Sequence, residues 1–199
     1  MQKIIRFKEI DSTQDYAKKI AEKSVAGTIV IAEQQTKGRG QFERGWSSQK
    51  GGLYFSIILK PEIKPQKISV LTHNIALAIV STLSKIVKKN YTVFIKPPND
   101  VMVRSKMPSR FACGEEDGRV GSPRVKRWKS KKVAGILTES SIIRSKVEWV
   151  VVGVGVNINN KIPKNLKGMA ISLKEITGQN QDIKKIFKKI VKKFVKIKT

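Results

Sequence analysis

The sequence predicts an α+β domain: a mixed, largely antiparallel central sheet with helices packed on one face. Three observations point there. Strand-like stretches outnumber helical ones, the two kinds do not alternate strictly, and the 199 residues suffice for one substantial core. The expectation is therefore a single domain over 1–199, with no internal repeat.

QKIIRFKEI (2–10) alternates as a first strand, and DSTQDYAKKIAEK follows as a capped helix. Ser12 or Thr13 can accept from a free amide of its first turn. Tyr16, Ala17, Ile20 and Ala21 make its apolar stripe. Gly27 ends that unit, and TIVIAEQQ is β-branched and strand-like. TKGRGQFERGWSSQKGG has five glycines among polar residues, too many positions for a hairpin turn. Loops of this length are commonly functional. LYFSIILK (53–60) is apolar enough for burial on both faces. Residues 66–89 carry a helical period through Ile68, Leu71, Ile75, Leu77, Ala78, Leu83 and Ile86. TVFIK (92–96) is a strand running into PPND. The stretch 104–131 has no apolar period and is expected to be an irregular insertion, dispensable for folding. VAGILTES and VEWVVVGVGVNI form two adjacent strands, followed by a short helix near 171–176 and a basic amphipathic helix at 181–197.

No apolar run approaches the roughly 18–20 residues needed to span a bilayer, and the charged start is unlike a signal peptide. A single cysteine, Cys113, excludes an internal disulfide and zinc sites built on paired cysteines. A cytoplasmic location is the expectation. The formal charge of +26 would attract nucleic acid or an acidic partner. The simpler reading is a lysine-biased composition with a solvated basic face, as in Lys184, Lys185, Lys188, Lys189, Lys192 and Lys193.

Four stretches are more polar or glycine-rich than folding requires. GRG (38–40), with Arg44 and Trp46 after it, offers close backbone approach and forked cationic donors for carboxylate or phosphate. It lacks the spacing of a dinucleotide fingerprint. In KPPND (96–100) two prolines fix where Lys96, Asn99 and Asp100 emerge. In KKVAGIL, Lys131 or Lys132 opens an apolar strand, as a snorkelling side chain or as a cation over a reacting anion. In GVGVN (153–157) glycines within a strand mark close approach of a ligand or backbone, and Asn157 ends it. His73 and Cys113 have no partner near in sequence, and neither is proposed as a reacting group.

Taken in order, DSTQ (11–14), AEQQTKGRGQFERGW (32–46), GGLYFSIILKP (51–61), KPPND, KKVAGILTE (131–139), VVGVGVNIN (151–159) and AISL (170–173) resemble the biotin–protein ligase family. The resemblance implies ATP-dependent activation of biotin to biotinyl-5′-AMP and transfer to a lysine of an acceptor protein. It places the ureido head of biotin on Ser12, Thr13 and Gln35, with Gln14 where the family commonly has Asn. The loop through Gly38, Arg39, Gly40 and Gln41 would fold over the ligand, and Gly135 would lie beside it. Arg39 and Lys132 would both reach the biotin carboxylate and act as the catalytic cations. Arg44, Trp46, Asn99, Asp100 and Asn157 match positions associated with ATP and the adenylate. Mg²⁺ would arrive with ATP, without a protein cage.

The implied partner is the carboxyl-carrier domain of a biotin-dependent carboxylase, with no specific nucleic acid and no membrane. Homodimer formation stays open. The chain departs from the family at Pro97, commonly Trp, and at Gln41, commonly Arg. Asp100 and Lys132 are 32 positions apart where a short hairpin is usual. Neither an N-terminal helix-turn-helix nor a complete C-terminal β-barrel is expected, which argues against a repressor role. The alternatives are a lipoate or octanoate ligase or transferase, a non-catalytic biotin binder and, last, a nucleic-acid-binding protein.

Overall fold

The structure is a computed structural model that describes residues 3–105 and 130–198. Seven strands form one sheet: β1 (Ile4–Ile10), β2 (Ile29–Gln35), β3 (Leu53–Leu59), β4 (Tyr91–Lys96), β5 (Asp100–Ser105), β6 (Lys131–Ile143) and β7 (Lys146–Val156). Their order is β1-β2-β3-β7-β6-β5-β4, and β1–β2 is the parallel pair among antiparallel neighbours. Helix α1 (Thr13–Ile20) makes the crossover that a parallel pair requires. Its start is set by Ser12, which is extended and accepts from the Asp15 amide at 3.2 Å.

The mixed sheet is as expected, and so is the packing of the long helices α2 (Ile68–Leu83) and α4 (Ile183–Lys198). Both lie on one face. Phe55, Ile57 and Leu59 of β3 meet Val152, Val154 and Val156 of β7 there, beneath Ile75, Ile79, Phe187, Ile190 and Phe194. Side chains alternate along a strand, so Ile58 and Val151 face the other way. Together with Val30, they pack against Ala17 and Ala21 at α1. That smaller cluster covers only part of the second face. The remainder carries the site.

Three sequence expectations need adjusting. The helical pattern read over 66–89 is a helix only to Leu83, preceded by a 3₁₀ turn at Pro65–Lys67. Leu77, counted in its apolar stripe, is exposed. Of the irregular stretch 104–131, Arg104 and Ser105 finish β5 and Lys131 begins β6, two strands that pair directly. The rest of that stretch, with Cys113, lies outside the described residues. Helix α3 (Leu173–Thr177) starts on a capping box, with Ser172 and Glu175 satisfying each other's amides, and ends at left-handed Gly178. No helix among the described residues is long and apolar enough to cross a membrane.

Phe187 meets Phe55 edge-on at 5.3 Å between ring centres, joining α4 to the sheet. Phe187→Ala should lower the unfolding free energy by about 3–5 kcal/mol. Lys188→Ala, on the exposed side of the same helix, should stay within about 0.5 kcal/mol of the parent. Urea denaturation of both variants checks the pair.

Candidate active site

Register across three strands lays out the floor. Ser56, Gly153 and Leu137 are cross-strand partners in one row, and Tyr54, Gly155 and Gly135 in the next. Both rows face away from α2 and α4, and the glycines leave a trench. Its polar end is built by α1 and β2. The Thr13 amide donates to Gln35 Oε1 at 2.7 Å, so that atom is a carbonyl oxygen and the Thr13 hydroxyl must donate to it as well, at 3.0 Å. The Gln14 amide nitrogen donates to Glu139 at 2.9 Å and to the Val151 carbonyl at 3.3 Å, which turns Oε1 toward Ser56. The single Ser56 hydroxyl proton then serves Thr13 Oγ1 or Gln14 Oε1, each at 3.1 Å. Every hydrogen in this array has a fixed direction except that of Ser56.

The glycine loop is tied to the same array. Gln35 Nε2 donates to Ser48 Oγ at 2.7 Å, and Ser48 donates to the Trp46 carbonyl at 3.1 Å. Gly38 crosses over this linkage, where a Cβ would lie 2.5 Å from both Ser48 Oγ and the Trp46 oxygen. Trp46 is laid on the trench by the missing side chains of Gly135 and Gly155. Its indole Nε1 is buried and meets no acceptor among the described residues. Phe42, at the loop tip, is left-handed (φ 54°) and exposed.

A register shift between Val101 and Met102 on the β5–β6 ladder aims the principal cation. Met102 pairs with Lys132 and Val101 with Ala134, so Val133 is the extra residue of a bulge. Lys132 and Gly135, three apart, would otherwise face opposite sides of the sheet. With the bulge, Lys132 lies over Gly135, its Nζ 2.6 Å from Asp100 Oδ1 and 5.0 Å from the Trp46 ring centre. Its backbone is held by the 169–171 segment, through Lys132 N–H to the Met169 carbonyl and Ile171 N–H to the Lys132 carbonyl.

Two cavities meet at this point. The smaller, about 40 Å³, is lined by Thr13, Gln14, Gln35, Ser56, Gly153 and Leu137 at one end and by Trp46, Lys132 and Gly135 at the other. The larger, about 670 Å³, has Arg44, Lys96, Asp100 and Asn157 in its wall. Gly40, Gln41, Trp46, Asn99 and Lys132 line both. Asn99 is fixed by its donation to the Ile136 carbonyl, and Asn157 accepts from Asn160.

Most of the residues singled out in the sequence therefore converge, with one correction. Ser12 does not line either cavity: its hydroxyl is the cap of α1 and it is 2% exposed. Arg39 and Lys132 both line the smaller cavity. The Arg39 guanidinium pairs with Asp15 at 2.5 Å and Glu139 at 3.6 Å, at the polar end of the trench. Glu139 lies seven residues along β6 from Lys132, roughly 20 Å at about 3.3 Å per residue. Sequence reading missed Ser48, Ser56, Glu139 and Asn160. Ser56 could have been found as the polar residue inside an otherwise apolar strand; the other three carry no such signal.

Residues 6–157 match the Biotin/lipoate A/B protein ligase family. The chain is 33% identical over 186 residues to the Bifunctional ligase/repressor BirA of Bacillus subtilis, covering 91% of this chain and 49% of that protein. It is 30% identical over 148 residues to the Biotin--[acetyl-CoA-carboxylase] ligase of Paracoccus denitrificans, covering 74% and 51%. The solved biotin protein ligase from Aquifex aeolicus in complex with biotin and ATP superposes with a TM-score of 0.70 at 32% identity, over 98% of this chain and 70% of that one. The chain spans about half the length of the curated relatives it matches. With this coverage and a site assembled from the same stretches, the chain belongs to the Biotin/lipoate A/B protein ligase family.

Proposed function

We propose that the chain activates biotin with ATP to biotinyl-5′-AMP and transfers the biotinyl group to a lysine of a biotin-carrying protein. The observation that carries this reading is the directed polar array at the closed end of the smaller cavity, made by Thr13, Gln14, Gln35 and Ser56. A ureido head, with two N–H donors and one carbonyl, can exchange hydrogen bonds with such groups. The dithiolane of a lipoyl group or the methyl end of an octanoyl group would exchange no hydrogen bond with them, so the array favours a polar head. The similarity to a ligase solved with biotin and ATP supports the same choice.

With the head at Thr13 and Gln35, the acyl chain would run past Gly153 and along the edge of Trp46, which itself covers Gly135 and Gly155, and bring its carboxylate toward Lys132. One carboxylate oxygen attacks the α-phosphorus of ATP and pyrophosphate leaves. Negative charge gathers between two anions as they approach, and Lys132 offsets it. Arg39 would act from the polar end, seating the loop, rather than on the carboxylate. The acceptor lysine then attacks the acyl carbonyl as a free amine, losing a proton as AMP departs. The Trp46 indole N–H is a donor left for the bound adenylate. Mg²⁺ would come with the ATP phosphates, where it neutralises developing charge; Asp100 is the carboxylate in the larger cavity's described wall that could ligate it. The carboxyl-carrier domain of a biotin-dependent carboxylase is the acceptor this chemistry fits.

Lys132→Ala should reduce biotin-dependent pyrophosphate release by about 10²–10³-fold, the usual effect of losing one such donor. A rate within a few-fold of the parent, measured with ATP, Mg²⁺ and biotin and no acceptor, would remove Lys132 from the chemistry. Gln41 faces both cavities and offers the adenylate an amide where a cation would bind its phosphate more strongly. Gln41→Arg should therefore slow the release of preformed biotinyl-AMP by about tenfold. Equal release from parent and variant would show that charge at this position does not govern retention.

A further inference from the structure

At the polar end of the smaller cavity lies a cluster that the ligase reading uses only through Gln14 and Arg39: Lys18, Asp15, Gln14, Glu139 and Arg39. Its centre is Glu139, 23% exposed at the side chain. One of its oxygens meets Lys18 Nζ at 2.7 Å and Arg39 Nη2 at 3.6 Å. The other accepts from the Gln14 amide at 2.9 Å. Gln14 belongs to the cavity floor: its Oε1 would lie 2.4 Å from a Cβ on Gly153, and it faces the Ser56 hydroxyl. Arg39 belongs to the glycine loop, and its second carboxylate partner, Asp15, stands one residue along α1 from Gln14. Floor and loop are thus bound to a single side chain from β6.

We propose that Glu139 is a positioning residue that sets two things together, the seating of the glycine loop and the orientation of the Gln14 amide that faces the ligand's head. Without it the Gln14 amide has one acceptor fewer for its nitrogen, and either end can turn toward Ser56. The direction of the polar array is then lost. Arg39 loses a carboxylate partner at the same time, and Lys18 is left facing it. The reacting end, at Lys132, is far along the strand and is not disturbed. The effect is therefore on recognition and loop seating, and not on the chemical step.

Three variants separate the parts. Glu139→Ala removes both links, Glu139→Gln keeps an acceptor for Gln14 while removing the charge, and Asp15→Asn weakens only the Arg39 link. Hydrogen exchange of the loop amides at 36–47, in ligand-free protein, should be about tenfold faster in all three, the scale set by loss of one charge-assisted bond. Biotin affinity by calorimetry, and KM for biotin in pyrophosphate release, should weaken about tenfold in Glu139→Ala and clearly less in the other two, with kcat within a few-fold of the parent throughout. Loop exchange at the parental rate in Glu139→Ala, or weakened affinity with kcat falling equally, overturns the proposal. So does parental biotin affinity in that variant. Should Glu139→Ala fail to fold, Glu139→Gln decides the loop half by its exchange rate, and Glu139→Met, which keeps the side chain's length but offers the Gln14 amide no strong acceptor, decides the floor half by its biotin affinity. The inference rests on the biotin reading only for the affinity measurements. A parent that binds no biotin refutes that reading, while the exchange rates, taken without ligand, still decide the loop seating.

Discussion

A Cβ on Gly155 would lie 2.5 Å from the Trp46 indole nitrogen, and one on Gly135 would lie 2.7 Å from the Trp46 ring. On a sheet face every other residue normally projects a side chain, so a ligand channel lying directly on strands exists only where side chains are left out. The cross-strand pairing of Gly135 with Gly155 makes the gap two strands wide. Gly153 extends it toward the polar end. Trp46 roofs the gap, the glycine loop is drawn over it by Ser48 and Gln35, and Lys132 lies in the space beside it. A side chain at Gly135 or Gly155 would meet Trp46 or Lys132, and one at Gly153 would meet Gln14.

Such a trench weakens the strands that contain it, and the other face compensates. The same β6 and β7 that lose side chains toward the site bury Ala134, Ile136, Val152, Val154 and Val156 against α2 and α4. The strands are held by that packing, which leaves the site face free to be shaped for binding. The bulge at Val133 follows the same division. It keeps Val133 and Ala134 both in the core while returning Lys132 to the site, a reversal that a regular strand could not make.

Much of this was legible in the sequence because it depends on local pattern. The nearly all-apolar run of β3, the paired glycines of GVGVN and the proline-fixed turn before Asp100 are each local signals, and the structure uses them accordingly. The partners of Ser12 and Arg39 were not legible, for a common reason. Both are competent to bind a ligand's polar groups, and their actual partners, the Asp15 amide and the carboxylates of Asp15 and Glu139, are fixed by three-dimensional placement. The bulge is likewise silent in KKVAGIL, since nothing in that string says which of two lysines will face the site. Helix α2 was drawn too long because Ile86 and Val87 continue its period after the backbone has left the helix; they still pack against the core.

The net charge of +26 is a poor guide to the field inside the site. Three of the cations there stand against carboxylates: Lys132 with Asp100, Arg39 with Asp15 and Glu139, Lys18 with Glu139. Part of the excess lies on α4, where Lys184, Lys185, Lys188, Lys189 and Lys192 are exposed on the side of the helix away from the sheet. Across a helix layer and a sheet, roughly 10 Å each way, charges at ordinary salt are separated by more than a Debye length of about 8–10 Å. An incoming anion therefore meets a Lys132 and an Arg39 that are already aimed by carboxylates. It must compete for Lys132 with Asp100. The ordering already done by Asp100 is what makes that exchange feasible, because a lysine held in place loses little further freedom when its partner changes.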